Sequence, residues 1–326
     1  MSASQGRAGA SGVGSGEPAA AVDERVVLAG VALRNAVLTA SGTFGYGSEF
    51  APFLDLRSIG GFVAKSLTLE PRHGNPPPRI AEAPAGMLNA ISIENVGVEK
   101  FLEEKLPALP EGVVVFASAF GTEPRLYAEL AARVSGHPRV AGLEINASCP
   151  HVKAGGIEFG QDPKLLAELV ATVRRATDRP LLVKLSPNVT RIADMARVCE
   201  AEGADGITLI NAVQAMEVDV ERRRPVLSNV LGGLSGPAIR PIALRMVWQA
   251  AQAVSIPICG VGGITSAEDA VKFLLCGATA VQVGTQNYLD PTAAAEIARG
   301  IADYARRHGF ARVADLTGAL VTRRGR

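Results

Sequence analysis

Short unbroken apolar runs recur along this chain: AVLTAS (36–41), FVAKS (62–66), VVVFAS (113–118), GLEINAS (142–148), LLVKLS (181–186), GITLIN (206–211), IPICGV (256–261) and TAVQVG (279–284). Runs of this length, rich in β-branched residues and apolar on both faces, predict strands of a parallel sheet covered on both sides. Between most of them apolar residues return at helical spacing, as in DPKLLAELVATVRRAT and SAEDAVKFLLCGA, the latter opening with Ser266 as N-cap and Glu268 in its first turn. Eight strands alternating with helices predict an α/β fold closed into a (β/α)8 TIM barrel. Ahead of it, RVVLAGVALRN predicts an N-terminal hairpin turning at Ala29-Gly30.

The polar residues interrupt this pattern at one end of the strands. Ser41, Lys65, Ser118, Asn146, Lys184, Asn211, Gly262-Gly263 and Gly284-Thr285 all end a run or begin the following loop. In a barrel that end is the catalytic face. Two Gly/Pro-rich insertions, residues 67–96 and 212–238, leave from the same end and predict loops that form lids or pocket walls.

Each interruption has its own chemistry. CGVGGI (259–264) and QVGTQNY (282–288) place glycines after the last two strands, where backbone N–H groups can approach a phosphate; glycines also simply make tight turns. Lysines inside apolar strands need a counter-charge, so Lys65 and Lys184 point to a site. Two uses remain open for them: a Schiff base with a carbonyl substrate, or stabilisation of a reduced, anionic flavin ring. Asn89, Asn95, Asn146, Asn211 and Asn229 offer amides suited to a substrate with an amide or imide edge, Asn95 and Asn229 serving equally well as turn formers. Cys149 lies past the fourth strand with Lys153 nearby, where a thiol can act as base or nucleophile. Cys199, Cys259 and Cys276 fall in helix or strand positions that suit packing.

Composition narrows the partners. A net charge of +1 over 326 residues offers no basic surface for nucleic acid or anionic membrane. The four cysteines have no paired spacing for zinc or an iron-sulfur cluster, so no metal is expected. No apolar run reaches membrane-spanning length and no signal segment is evident, so a reduced cytoplasmic location is expected. Residues 1–22 are rich in Gly, Ala and Ser and predict a disordered tail ahead of one domain over 23–326.

Longer motifs identify a resemblance. KSLT, MLNAISIENVGVEKF, GLEINASCPHVKAGGIEFG, LLVKLSPNVT, RRPVLSNVLGGLSGPAIRPIALRMVWQ and GVGGITSAEDAVKFLLCGATAVQVGTQNY occur in order. Over about residues 25–310 the chain resembles class 1 dihydroorotate dehydrogenase, most closely the catalytic subunit of the NAD-linked type 1B enzymes. The resemblance implies FMN held by Ser41, Lys65, Ser66, Ser118, Asn146, Lys184, Ile210, Gly236, Gly262, Gly263, Gly284 and Thr285. It implies dihydroorotate held by Lys65, Asn89, Ala90, Ile91, Ser92, Ile93, Asn146, Asn211 and Ala212, with Cys149 as the base that starts its oxidation to orotate in pyrimidine synthesis. It further implies a homodimer joined by a partner subunit carrying FAD and [2Fe-2S], which passes electrons to NAD⁺. A fumarate-linked or other class 1 FMN oxidoreductase acting alone, or a divergent FMN-binding barrel without dehydrogenase activity, are the alternatives. The chain departs from the family pattern at Ser92 (Gly), Glu94 (Gln), Ala212 (Thr) and Ser118 (Asn).

Overall fold

Eight parallel strands, each hydrogen-bonded to its neighbours in chain order, close on themselves in the computed structural model, which describes residues 21–148 and 159–322. They are β1 (Val37–Thr39), β2 (Gly61–Val63), β3 (Val115–Ala119), β4 (Val140–Asn146), β5 (Leu181–Lys184), β6 (Gly206–Leu209), β7 (Ile258–Val261) and β8 (Ala280–Val283). The ring closes where Val281 pairs with Val37 and Val283 with Thr39. Every predicted strand overlaps one of these eight. Their apolar side chains are buried on both faces, as at Phe62, Phe116, Leu182, Ile207 and Val281, each worth roughly 1.5–3 kcal/mol when fully removed from water.

Helices cover the outside of the barrel. Pro124–Ser135 follows β3, Pro163–Ala176 follows β4, Ile192–Ala201 follows β5, Arg240–Ala251 follows β6, Ala267–Leu275 follows β7 and Ala293–Arg307 follows β8. After β1 the chain makes only the 3₁₀ turns Ser48–Phe50 and Leu56–Ser58. Ser266 caps its helix by accepting from the Asp269 N–H, as its sequence position predicts. At the N-terminus, Val26–Leu28 pairs with Val31–Leu33 around Ala29 and Gly30, both at positive φ, as a two-residue hairpin demands. Val22 packs against the barrel core, while residues 1–20 lie outside the described residues.

The insertions are not loops. Ile80–Ala83 and Gly86–Asn89 from the first join Val213–Met216 and Leu231–Ser235 from the second in one antiparallel sheet, with Leu231–Ser235 beside Gly86–Asn89. Leu88, Ala90 and Leu227 form its small core. Glycine, read as a loop former, serves here as a spacer: a Cβ on Gly86 would stand 2.3 Å from the Ser235 carbonyl oxygen of the paired strand. Two segments far apart in sequence thus form a single cap over the catalytic end.

The helix after β4 gives a test of how local sequence sets the frame. Asp162 Oδ1 accepts from the N–H groups of Lys164 (2.8 Å) and Leu165 (3.1 Å) at its start. Asp162→Ala is expected to lower unfolding free energy by about 1 kcal/mol and Asp162→Asn to change it little, measured from denaturant midpoints.

Candidate active site

At the C-terminal end of the barrel, between the strand ends and the cap sheet, lies a cleft enclosing about 1390 Å³, its open mouth included. Ser41, Lys65, Ser66, Asn146, Lys184, Ile210, Gly236, Gly262, Gly263, Gly284 and Thr285 all line it. So do Asn89, Ile91, Ser92, Ile93, Asn211 and Ala212. Ser118 does not: it is buried behind Ser66, their hydroxyl oxygens 2.8 Å apart. Ala90 does not either, because its side chain faces the small core of the cap. Asn95 is held by Thr68 and donates to the Ile93 carbonyl, a turn-forming role away from the cleft wall. Cys149, His151 and Lys153 lie outside the described residues.

One wall is a chain of amides and hydroxyls. Asn146, at the end of β4, donates from Nδ2 to Ser66 Oγ at 3.3 Å, and its Oδ1 accepts from the Ser148 hydroxyl at 3.1 Å. Asn211, just past β6, donates from Nδ2 to Ser148 Oγ at 2.7 Å and to the Ser148 carbonyl at 3.2 Å. The Tyr127 hydroxyl supports this wall from behind by donating to the Asn146 carbonyl at 2.8 Å. Parallel strands bring these donors together because all their C-terminal ends face one way.

The opposite end is built of backbone. Among the described residues, the N–H groups of Gly263, Gly284, Thr285 and Gln286 have no hydrogen-bond partner, and all four residues border the cleft. Unpaired donors of this kind form a cradle for an anion. Gly263 holds φ +72, and a Cβ there would stand 2.7 Å from the Gly236 carbonyl oxygen, so only glycine keeps this turn open. Thr285 donates its hydroxyl to Ser235 Oγ at 2.9 Å, joining the cradle to the cap.

The two lysines differ in their partners. Lys184 is 5% exposed, with Nζ 3.3 Å from Ser41 Oγ and 4.0 Å from Glu144 Oε1. Burial pushes the Lys65 ammonium below the ordinary lysine range, with Glu94 opposing the shift and Arg79 adding to it. Arg79 Nη2 and Glu94 Oε2 form an ion pair at 2.8 Å, and Glu94 itself lines the cleft. Burial also pushes the Cys199 and Cys259 thiols up, which suits packing rather than chemistry.

Glu144, Thr208 and Gln282, buried inside the barrel, escaped the reading of the sequence. The signal was present, since a carboxylate within the apolar run GLEIN is as anomalous as a lysine. No group of three or more His, Cys, Asp or Glu that could hold a metal occurs among the described residues. No described helix is long and apolar enough to cross a membrane.

Comparison with known proteins agrees with this geometry. The family model "Dihydroorotate dehydrogenase" matches residues 25–304. The chain is 56% identical over 299 residues to "Dihydroorotate dehydrogenase B (NAD(+)), catalytic subunit" of Pelobacter propionicus, covering 91% of this chain and 98% of the relative. It is 54% identical over 301 residues to the protein of the same description from Geotalea uraniireducens, covering 92% and 99%. With Geobacter metallireducens the identity is 53% over 299 residues, covering 91% and 98%. Because the match runs through all eight barrel strands, both insertions and the cleft between them, the chain belongs to the dihydroorotate dehydrogenase family.

Proposed function

We propose that the cleft binds FMN and dihydroorotate together, that Cys149 removes the substrate proton, and that a partner subunit with FAD and [2Fe-2S] carries the electrons onward. The overall activity follows from the family and its named relatives: NAD⁺-linked oxidation of dihydroorotate to orotate in pyrimidine biosynthesis. Those relatives are catalytic subunits, which favours a partner over a fumarate-linked enzyme acting alone. A homodimer of this chain is part of the same reading.

The observation that carries the cofactor assignment is the row of unpartnered N–H groups at Gly263, Gly284, Thr285 and Gln286. It suits a phosphate, and Ser41, Lys184 and Asn146 supply donors suited to the polar edge of a flavin ring. When bound, FMN supplies the acceptor for the hydride that leaves C6 of dihydroorotate.

This chain's own residues do the rest. Lys65 offers a cation to the substrate carboxylate, and Asn89, Asn146 and Asn211 offer amides that match both donors and acceptors of its imide edge. The thiolate of Cys149 takes the proton from C5, so that the electron pair of that C–H bond becomes the new C5–C6 double bond as the hydride departs. The cap sheet, with Met87, Gly233 and Ser235 on the cleft, covers the reacting atoms from water. At the departures, Ser92 and Ala212 stand on the cleft wall and Glu94 is occupied by Arg79.

Anaerobic mixing with dihydroorotate should bleach the bound flavin, and NAD⁺ should be reduced only after the partner subunit is added; a flavin that stays oxidised would overturn the assignment. Cys149→Ser is expected to retain FMN and slow bleaching by about a hundredfold or more in stopped flow at neutral pH, the usual contribution of a general base. For Lys65 the sign is set by burial: the charged form dominates below its depressed pKa and is lost as pH rises through it. Orotate affinity, measured by flavin difference spectra, should therefore weaken on the alkaline side before an ordinary lysine would titrate. Lys65→Arg, whose guanidinium stays charged, should remove that alkaline loss even where it weakens binding overall.

A further inference from the structure

Below the cleft floor the barrel interior holds a charged pair that takes no part in binding substrate or moving its proton. Glu144 is fully buried on β4. Its Oε2 accepts from Thr208 Oγ1 at 2.7 Å and from Gln282 Nε2 at 2.9 Å. These three side chains come from β4, β6 and β8, alternate strands, and so share one layer of the interior that branched apolar residues ordinarily fill. The other oxygen, Oε1, has no hydrogen-bond partner and faces Lys184 Nζ at 4.0 Å.

The pair is asymmetric. Lys184 also reaches Ser41 Oγ at 3.3 Å, and both of those residues line the cleft, whereas Glu144 does not. Among the described residues Lys184 has no other ion-pair partner. A buried carboxylate held by two neutral donors depends on the lysine for its charge balance, and the lysine depends on the carboxylate. Contact between them is loose: at 4.0 Å the carboxylate tethers the ammonium without the short hydrogen bond that would satisfy it.

We propose that Glu144 is a positioning residue acting through Lys184: it tethers the ammonium at the cleft floor and offsets part of its charge, and thereby sets how strongly Lys184 favours the reduced, anionic flavin. This inference rests on FMN occupying the cleft as argued above. With FMN in the cleft, a free ammonium would hold the electrons on the flavin, whereas one shared with a carboxylate would release them more readily to the next carrier.

The test measures the redox equilibrium of bound FMN against a reference dye, in the purified flavin-loaded protein, for wild type, Glu144→Gln, Lys184→Met and the double variant. Glutamine keeps an acceptor for Thr208 and Gln282 while removing the charge. Glu144→Gln is expected to displace the equilibrium toward reduced flavin by about tenfold, a cautious figure for removing an opposite charge from a partly buried ammonium. In the Lys184→Met background the same change should move it less than about twofold, the coupling expected when one residue acts through the other. Should Glu144→Gln fail to fold, Glu144→Asp, which withdraws the charge by one methylene, should shift the equilibrium in the same direction by less. A flavin-loaded Glu144 variant with the wild-type equilibrium overturns the inference, as does a shift of equal size without Lys184. Wild-type protein that takes up no FMN overturns the cofactor assignment and this inference with it, an outcome separate from the other two.

Discussion

Closure of the sheet is the constraint on which the site depends. The Ala40 N–H donates to the Val283 carbonyl and the Val281 N–H to the Ala36 carbonyl, both at 2.8 Å, so the last strand is sewn to the first and no edge remains. With all eight strands parallel, every strand ends at the same opening. Ser41, Lys65, Asn146, Lys184, Asn211, Gly263 and Gly284 meet there although they come from seven different strands or the loops that follow them. The cap follows from the same closure, because insertions leaving β2 and β6 from one face can pair with each other.

That arrangement concentrates polar groups where they are costly. Thr39 Oγ1, Glu144 Oε1, Gln282 Oε1 and Asn287 Oδ1 are buried without hydrogen-bond partners, each of the neutral ones costing roughly 1–3 kcal/mol. A core of fully buried aliphatic and aromatic side chains around them offsets this cost. Apart from Asn287, which packs just beyond β8, these atoms belong to residues of the barrel strands. The apolar core contributed by strands and helices together carries the stability that lets a few polar atoms stand inside the barrel.

The barrel was legible in the sequence because parallel strands buried on both faces leave continuous apolar runs, and because Ser266 and Ala29-Gly30 mark their elements with local chemistry. Most of the site was legible for the same reason: polar residues such as Lys65 and Lys184 stand out against apolar strands. The cap sheet was not, because its glycines permit strand contact, and spacing for contact looks identical in sequence to spacing for a turn. Ser118 and Ser66 illustrate a second limit. Both end apolar runs, yet one lines the cleft and the other backs it, a distinction made by side-chain direction in three dimensions. Glu144 stands out within GLEIN, but the layer it forms with Thr208 and Gln282 does not, because those partners lie on strands far away in the chain.

A single residue links the two asparagines of the cleft wall to the point where the segment carrying Cys149 begins. Ser148, which directly precedes Cys149 in the chain, bonds through its hydroxyl to both Asn146 and Asn211 and through its carbonyl to Asn211. Beyond residues 149–158, the Gly160 N–H donates to the Ala147 carbonyl at 2.8 Å, and Phe159 meets Tyr127 edge-on, so the returning chain is anchored to the same wall. The asparagines proposed to orient dihydroorotate are thus the groups that fix the start of the segment carrying the proposed base. The proposed proton removal requires substrate and base to be aligned at once, and this network holds the two asparagines and Ser148 as one unit.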